Sequence, residues 1–424
     1  MTFSPALSLY LLASRLAGPL AGPILRRRMA RGKEDPERIG ERFGIAGKAH
    51  PGGRLIWLHG ASVGEAMSML PLISAIRART SAAVMVTTGT VTSARRLERL
   101  LPEGAFHQYV PVDTCRAVRR FLDHWRPNLA VWVESELWPR LVHQTGRRRI
   151  PAALVNARLS GRSARRWRRA PGMVRRLLGV FGKILTQDAE TMERLDALGV
   201  QSSFAGNLKA LVPVEPVDET ELSALRASVG ERPVWLAAST HPGEEDMVIE
   251  AQTRLLSGKV PPLLILAIRH PQRGAEVAAL LNAAGLVVAR RSRGEVPGPD
   301  TQVFLADTLG EMALWYRLAP VTFVAGSLVD KGGHTPFEPV QMHSVVVHGP
   351  HVSNFTPAYD ALRAEQATLE VRDAQGLADA VGHLLKDVLD RRAIASRALA
   401  VHDMLKPNVE RLAESLVEMM EHRP

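Results

Sequence analysis

Cysteine is nearly absent from this sequence, which has 424 residues and a single cysteine, Cys115. One thiol forms neither an internal disulfide nor a cysteine-based zinc site, so a disulfide-stabilised secreted protein is excluded and a reducing, cytosolic compartment is favoured. Aromatic residues are also sparse, at 5%, but 46% of the residues are hydrophobic and 23% are charged. That composition supplies a core and excludes disordered and fibrous architectures.

Several motifs of common enzyme classes are missing as well. The sequence has no Walker A motif and no G-x-G-x-x-G, which argues against P-loop NTPases and simple dinucleotide dehydrogenases. It has no H-E-x-x-H and no Asp-x-Asp, so neither a metal ion nor another cofactor is implied.

Acidic residues are scarce in the first half of the chain. Residues 1–210 carry 34 Lys and Arg against 15 Asp and Glu, a charge of +19, whereas the remainder carries 20 against 28, a charge of −8. A basic half indicates an anionic partner, and an anionic membrane, an anionic substrate and nucleic acid all satisfy that charge. A basic surface without a ligand is the alternative. No nucleic-acid-binding motif accompanies the arginines, so we expect no nucleic acid partner.

The apolar start of the chain predicts contact with a membrane. Residues 3–25 are mostly apolar and are followed by Arg26, Arg27 and Arg28, whereas a signal peptide carries its positive charge before the apolar run. A spanning helix needs ~20 apolar residues, and this run is interrupted by Arg15, Pro19 and Pro23. We therefore expect residues 1–33 to form an anchor helix, either a short span or an interfacial helix, with its arginines at the cytoplasmic surface. A helix packed on the protein itself is the alternative.

Short apolar runs alternate with amphipathic stretches after residue 50, which predicts two doubly wound α/β domains with parallel sheets. We assign residues 34–211 to the first domain, 212–230 to a linker, 231–400 to the second domain and 401–424 to a C-terminal helix. The predicted strands are 55–59, 83–87, 129–133, 152–155, 183–186, 234–238, 263–267, 321–325 and 344–348. The predicted helices lie near 66–80, 92–101, 115–125, 189–198, 245–257, 273–284, 309–318 and 375–388.

Ligands of such sheets bind outside the carboxyl ends of the strands, and the segment His59–Glu65 follows the first strand. It contains G-x-S-x-G, with Ser62 at the position of a hydrolase nucleophile. That motif usually lies well inside its sheet rather than after the first strand, and a serine hydrolase would also require an Asp and then a His later in the chain. Glu65 is a candidate general base, and the alternative is an acid that caps the following helix.

Two further groups of charged residues follow strands of the first domain. Glu134 and Glu136 come directly after a strand, where they could orient a hydroxyl or raise one another's pKa. One of them is expected to be a helix-start acid. Arg158 and Arg162 begin an arginine-rich stretch that could bind phosphates of a lipid head group, and a solvated basic helix face is the alternative.

The second domain carries four loops of small residues at strand ends, which together predict a nucleotide site. They lie within residues 238–245, 268–271, 326–339 and 349–355. Their phosphate-binding candidates are Ser239, Thr240, Arg269, Gly332 and Gly333, and Glu338 could accept two ribose hydroxyls. An ordinary turn with a helix cap is the alternative for each loop.

Taken together, the motifs resemble those of the 3-deoxy-D-manno-octulosonic acid (Kdo) transferases of lipopolysaccharide synthesis. The resemblance runs over nearly the whole chain, and the matching blocks are KEDPERIGERFG, IWLHGASVGEAMSMLPLI, VESELWPRL, NARLSGRS, GNLK, AASTHPGEE, IRHPQR, GGHTPFEP and GPHVSNF. It implies a GT-B-like fold of two Rossmann-like domains facing a cleft. It also implies metal-independent, inverting transfer of Kdo from CMP-Kdo to a lipid A precursor at the cytoplasmic face of the inner membrane.

The resemblance also assigns residues. Glu65 corresponds to the general base. The other candidates of the first domain, which we place on the acceptor side of the cleft, are Ser62, Glu134, Glu136, Arg158 and Arg162. The donor CMP-Kdo is assigned to Ser239, Thr240, Arg269, Gly332, Gly333, Glu338 and Asn354, with Asn207 and Lys209 of GNLK near the cleft.

Three positions depart from the family pattern. Ile268 replaces the proline of P-R-H-P, Thr335 replaces the asparagine of G-G-H-N, and Gly60-Ala61 replace the middle of H-A-V-S. The second change removes an amide beside the nucleotide loop, so the role of that position is open. The competing functions are a serine hydrolase using Ser62 and a non-catalytic membrane-associated binding protein.

Overall fold

The computed structural model describes residues 4–134 and 136–422. The chain forms two compact units, the first comprising Met1–Val212 with Lys406–Pro424 and the second Pro213–Leu405. Each unit is built on a sheet of seven parallel strands. The predicted fold class, two doubly wound α/β domains, is confirmed.

The first unit has the strand order β3-β2-β1-β4-β5-β6-β7. Its strands are Leu55–His59 (β1), Ala83–Thr88 (β2), Ala105–Tyr109 (β3), Leu129–Val133 (β4), Ala152–Ala157 (β5), Lys183–Thr186 (β6) and Ser203–Phe204 (β7). Its helices are Pro5–Leu16 (α1), Ala21–Met29 (α2), Ile39–Arg42 (α3), Val63–Arg77 (α4), Val91–Leu100 (α5), Cys115–Trp125 (α6), Pro139–Arg147 (α7), Gly161–Trp167 (α8), Pro171–Leu178 (α9) and Ala189–Asp196 (α10), and it also includes the C-terminal helix Val409–Glu421.

The second unit has the strand order β10-β11-β9-β8-β12-β13-β14. Its strands are Val234–Thr240 (β8), Leu263–Ile268 (β9), Val288–Arg290 (β10), Val303–Ala306 (β11), Val321–Val324 (β12), Val345–His348 (β13) and Leu369–Glu370 (β14). Its helices are Glu219–Val229 (α11), Glu245–Leu256 (α12), Gly274–Ala283 (α13), Met312–Leu318 (α14), Phe337–Gln341 (α15), Thr356–Ala364 (α16), Ala374–Lys386 (α17) and Val388–Leu405 (α18); the C-terminal helix of the first unit is therefore α19.

Both faces of the first sheet are covered, which is why its central strands are apolar without interruption. Trp57 and Trp132 belong to the core on one face, while Ile56 and Val131 belong to the core on the other. Successive residues of a strand point to opposite faces, so β1 and β4 supply both cores. The second face is covered by α4 together with α19, whose Leu416 is fully buried.

The segment that precedes β1 is fixed to the edge strand β3. The carboxylate of Glu41 accepts a hydrogen bond from the Tyr109 backbone N–H at 2.7 Å and pairs with Arg38 at 2.9 Å. Glu34 is buried and lies 3.2 Å from Arg42. Because an edge strand lacks a neighbour on one side, the Glu41 carboxylate satisfies a backbone group that the sheet leaves open.

The apolar start of the chain forms two short helices rather than one anchor helix. A 3-10 turn at Gly18–Leu20, which contains a proline, separates α1 from α2. Helix α1 packs on α6, α7 and α9, and its Tyr10 hydroxyl donates a hydrogen bond to Asp113 at 2.8 Å. Among the described residues, no helix has the length and apolar character needed to cross a membrane.

Gly44 marks the place where the end of α3 approaches α6. It has φ +75°, and a Cβ there would lie 2.1 Å from the Ala117 carbonyl oxygen, whereas Gly52 has the same φ and no atom within 4 Å of its Cβ position. Both alanine variants incur the left-handed backbone cost of ~1–2 kcal/mol, but only Gly44→Ala adds a backbone collision. We expect Gly44→Ala to lower the urea unfolding midpoint clearly more than Gly52→Ala. Equal losses in the two variants would contradict this packing.

Candidate active site

The two sheets define two candidate sites by their topology. In the first sheet the chain runs from β1 to β2 and β3 on one side and then to β4 on the other, so the strand order reverses between β1 and β4. In the second sheet it reverses between β8 and β12. Ligands of open α/β sheets bind at such switch points, outside the carboxyl ends of the strands. The candidate residues are therefore those that follow these four strands.

Glu65 lies at the first switch point, in the first turn of α4, and its side chain is 7% exposed. Its carboxylate accepts hydrogen bonds from the Ala61 backbone N–H at 2.7 Å and from the Ser62 hydroxyl at 2.8 Å. The Ser62 hydroxyl in turn accepts from the Glu65 N–H at 3.3 Å. Ser62 therefore caps α4, and Glu65 binds back to the Ser62 hydroxyl and to the N–H of the preceding residue, a variant of the helix capping box. The helix-capping interpretation of Glu65 is realised, and its carboxylate is held in one orientation.

Ser62 does not have the partners of a hydrolase nucleophile. Its hydroxyl exchanges both of its hydrogen bonds with Glu65. A nucleophilic serine needs a histidine within hydrogen-bonding reach, and no such bond from Ser62 is found in the part of the chain that the structure describes. The nearby His59 is instead bound to the Thr87 hydroxyl at 2.9 Å. The geometry therefore favours the carboxylate over the hydroxyl as the reactive group.

Glu134 reaches the same switch point from the end of β4. It forms an ion pair with Lys209 at 2.5 Å and accepts a hydrogen bond from the Asn156 side-chain amide at 3.4 Å. Asn156 Oδ1 accepts from the Leu208 backbone N–H at 2.9 Å, which brings the GNLK segment to β4 and β5. Lys209 and Asn207, expected near the donor, thus belong to the first unit. Asn207 itself caps the 3-10 turn that carries Lys209.

The electrostatics of this site raise the pKa of Glu65. The largest cause is burial and the next is the charge of Glu134, while the Ala61 N–H, the Ser62 hydroxyl and Lys209 act in the opposite direction. A raised pKa makes the ionised carboxylate a better proton acceptor and is typical of functional carboxyl groups. Lys209 neutralises Glu134 and thereby limits the repulsion between the two acids.

The other predicted residues of the first unit are less enclosed. Glu136 is exposed, whereas Glu134 is 8% exposed, and Ser135 between them lies outside the described residues. Arg158 is half-buried and borders a small cavity with Glu134 and apolar side chains. Arg162 is exposed on α8. Of Glu136, Arg158 and Arg162, Arg158 is the one that shares a cavity with Glu134 in the described part of the chain.

At the second switch point, a carboxylate that sequence reasoning left without a role organises the loops. Glu244 is fully buried, and its two oxygens accept hydrogen bonds from four backbone N–H groups at 2.7–3.2 Å. These groups belong to His241, Gly326, Ser327 and Leu328. Glu244 therefore joins the loop after β8 to the loop after β12. An acid just before a predicted helix was the only sequence signal for it.

The residues predicted to bind the sugar donor lie in or near the two loops that Glu244 joins. Ser239 has φ +62° at the end of β8, Thr240 is buried, and Arg269 is exposed with its backbone N–H donating to the Thr240 carbonyl at 3.0 Å. The Tyr316 hydroxyl hydrogen-bonds to Glu338, and burial together with that carboxylate raises the pKa of Tyr316. The carboxylate of Glu338 is thus held in place.

Asn354, also predicted to bind the donor, is hydrogen-bonded to the glycine loop. Its side-chain amide donates to the Lys331 carbonyl at 3.0 Å and the Gly333 carbonyl at 3.3 Å, and its backbone N–H donates to the Gly332 carbonyl at 2.8 Å. Thr335, at the position of the usual asparagine, accepts a hydrogen bond from the Phe337 N–H at 3.3 Å. The threonine thus keeps a side-chain acceptor at the start of α15.

Solved structures share this architecture. The chain is similar to UDP-GlcNAc 2-epimerase from Neisseria meningitidis, with a TM-score of 0.60 and 10% identity over 87% of this chain and 100% of that one. It is also similar to MurG from Acinetobacter baumannii, with a TM-score of 0.53 and 10% identity over the same shares. These likenesses show the fold, which is GT-B-like, with two α/β units built on parallel sheets.

The family follows from sequence. Residues 37–212 match the family model described as 3-Deoxy-D-manno-octulosonic-acid transferase (kdotransferase). The chain is 34% identical over 394 residues to the 3-deoxy-D-manno-octulosonic acid transferase of Haemophilus influenzae, covering 88% of this chain and 92% of that one. It is 35% identical over 404 residues to that of Bordetella pertussis, covering 92% and 94%. The chain belongs to the Kdo transferase family, and the predicted resemblance is confirmed.

The raised pKa of Glu65 has a consequence for stability. A carboxyl group whose pKa is higher in the folded state contributes stability that is complete below the unfolded pKa and lost as pH rises through the folded pKa. Glu65→Gln has no carboxyl group that ionises at this position, so it does not lose this stability as the pH rises. We expect the melting temperature of Glu65→Gln, relative to wild type, to rise as the pH is increased from 4 to 8.

A difference in melting temperature between Glu65→Gln and wild type that stays the same from pH 4 to 8 would contradict the raised pKa of Glu65.

Proposed function

We propose that this protein transfers Kdo from CMP-Kdo to a lipid A precursor with inversion at the anomeric carbon, and that Glu65 is the general base. The observation that carries the proposal is the buried Glu65 carboxylate with a raised pKa, held at the switch point of the first unit beside the Glu134–Lys209 pair. The names of the relatives at 34% and 35% identity supply the reaction class.

The chemistry requires a base because a sugar hydroxyl is a weak nucleophile until its proton is removed. Glu65 takes that proton as the hydroxyl oxygen bonds to the anomeric carbon and the bond from that carbon to the phosphate oxygen breaks. A single displacement inverts the anomeric centre. The fixed hydrogen bonds from Ala61 and Ser62 keep the carboxylate oriented, so little reorganisation accompanies the proton transfer.

The donor is assigned to the second unit. Arg269 and the backbone N–H groups near Ser239, Thr240, Gly332 and Gly333 balance the phosphate, and Glu338 accepts the ribose hydroxyls. These groups supply the positive charge that the departing phosphate needs, so the proposed reaction uses no metal ion or other cofactor. Activity that persists in EDTA is the corresponding expectation.

The acceptor is an anionic amphiphile, and the first unit offers a surface for it. Leu9, Leu12 and Leu16 are 68%, 54% and 70% exposed, and their spacing places them on one side of α1. Leu20 and Ile24 are also exposed. They are followed in sequence by three exposed arginines, Arg26, Arg27 and Arg31. Apolar side chains flanked by arginines suit an interfacial helix pair on anionic lipid. We propose the cytoplasmic face of the inner membrane as its location.

The test of the function is incubation with CMP-Kdo and lipid A precursor, with the product mass as readout. We expect wild type to add Kdo, and Glu65→Gln to lose ~10²–10⁴-fold in single-turnover rate because the amide does not accept the proton. Its affinity for CMP should match wild type, since the donor is assigned to the other unit. Glu103→Gln, at an exposed position before β3, is the matched control and should turn over normally. A normal rate in Glu65→Gln would remove the general base from the proposal.

The membrane surface has its own test, with vesicles that contain phosphatidylglycerol. Replacing Leu9, Leu12, Leu16 and Leu20 by serine should weaken vesicle binding by at least roughly tenfold, because each leucine contributes several CH₂ groups worth ~0.8 kcal/mol each when buried. Serine at Leu309 and Leu389, which are 74% and 80% exposed in the second unit, provides the control. Undiminished vesicle binding by the α1 variant would assign membrane contact to another surface.

A further inference from the structure

Three histidines follow three adjacent strands of the second sheet. His241 follows β8, His270 follows β9 and His334 lies in the loop after β12, and β8 lies between the other two strands. The strand order reverses between β8 and β12, so His241 and His334 come from opposite sides of the switch point. None of the three histidines has a role in the function proposed above.

His241 and His334 are joined directly through their rings. Their Nε2 atoms are 3.0 Å apart, the ring planes differ by 6° and the centroids are 5.2 Å apart. A centroid distance close to the N···N distance plus the two ring radii means that the rings lie edge to edge in one plane, joined by a hydrogen bond rather than stacked. Gly326 leaves room for them, because a Cβ there would lie 3.2 Å from His334 Cδ2 and 3.4 Å from His241 Cδ2.

The hydrogen bonds of the two rings assign a tautomer to each histidine. The Ser239 carbonyl accepts a hydrogen bond from the His334 ring, and because Nε2 of that ring faces His241, Nδ1 is the donor. A neutral imidazole with a proton on Nδ1 has a lone pair on Nε2, so His241 donates from its own Nε2. Burial, His241 and Arg269 lower the pKa of His334 to about 4, which keeps it a neutral acceptor. The second nitrogen of His241, Nδ1, is then left for a ligand.

Basic side chains lie around His241, and one of them, Arg273, is paired with Glu245 and Glu276. Burial and its neighbours lower its pKa, and Glu244, the acid of the same loop, has both oxygens engaged by backbone N–H groups. The charged and titratable side chains that lower this pKa are His270, Arg269, Lys331 and Arg273. A site with this field favours an anion, and a bound anion favours the protonated form of His241.

We propose that His241 donates a proton to the phosphate oxygen of the departing nucleotide, with His334 as the positioning residue that holds its ring. This inference rests on the proposed function. As the bond between the anomeric carbon and the phosphate oxygen breaks, its electron pair goes to that oxygen, which takes the proton from Nδ1 of His241. The acceptor hydroxyl releases its proton to Glu65, so one proton enters the protein and one leaves it in each turnover.

A binding experiment tests the proposed role of His241 without requiring Kdo transfer. The probe is the methyl ester of CMP, whose phosphodiester does not titrate near neutral pH, and its binding is followed by calorimetry in buffers of different ionisation enthalpy. We expect wild type to take up as much as one proton per bound ester at pH 7–8. His241→Asn keeps a donor at the Nδ1 position but carries no titrating proton, so it should bind the ester and lose the uptake. Uptake that persists in His241→Asn overturns the proposal.

Turnover provides the second readout. His241→Asn should lose ~10²–10⁴-fold in kcat with little change in KM for CMP-Kdo, the range of general acid–base catalysis. His334→Gln retains an oxygen that accepts from His241 and should recover most of the rate lost in His334→Phe, with a shifted pH profile. His383→Asn is the control, because His383 is exposed on α17 and pairs with Asp390 at 2.8 Å. Equal rates in His334→Gln and His334→Phe would contradict the positioning role.

The two proposals fail differently. If wild type transfers Kdo and His241→Asn transfers it equally fast, the histidine pair has no part in the reaction and the proposed function stands. If wild type takes up a proton with the CMP ester but does not transfer Kdo, the proposed function is wrong and the coupling of the pair to a phosphate anion stands. If wild type does not bind the ester, both proposals are overturned.

Discussion

The second unit depends on one buried carboxylate. Glu244 has no exposed surface, and four backbone N–H groups from two loops converge on its oxygens. Hydrogen bonds to a charged acceptor are stronger than neutral ones, and here they offset part of the cost of burying the charge. The loop after β8 and the loop after β12 are thereby held in one arrangement across the switch point. Gly326 belongs to one of these loops, and the His241–His334 pair lies beside it.

Each unit thus has an acid at its switch point, but the two acids are used differently. All the hydrogen bonds to the Glu244 carboxylate come from backbone groups, which leaves it a structural role. The oxygens of Glu65 are bound by one backbone N–H and one hydroxyl, and the side chain retains some exposure. Burial raises the pKa of both groups. The two acids differ more in their hydrogen-bond partners than in their burial, and this difference supports a structural role for Glu244 and the proposed proton-accepting role for Glu65.

The interior of each sheet could be predicted from sequence, and its edges could not. Nine of the ten interior strands appear as apolar runs, because both faces of these strands are buried; only β11, four residues long, was missed. The four edge strands β3, β7, β10 and β14 were also missed, since they are short or polar. Glu65 was found because it belongs to the motif at the end of the first strand, where that strand turns into a helix. The contact between His241 and His334 joins residues 93 positions apart, and no local pattern predicts such a pairing.

Helix α19 has a consequence for biosynthesis. It packs against α4 and completes one face of the first sheet, yet it follows the entire second unit in the chain. During translation, which proceeds at ~5–20 residues per second, the second unit is synthesised before that face can be covered. The nascent first unit therefore lacks the helix that packs against α4 until α19 emerges. During that interval we expect the incomplete first unit to bind a chaperone. The second unit can finish folding before the first.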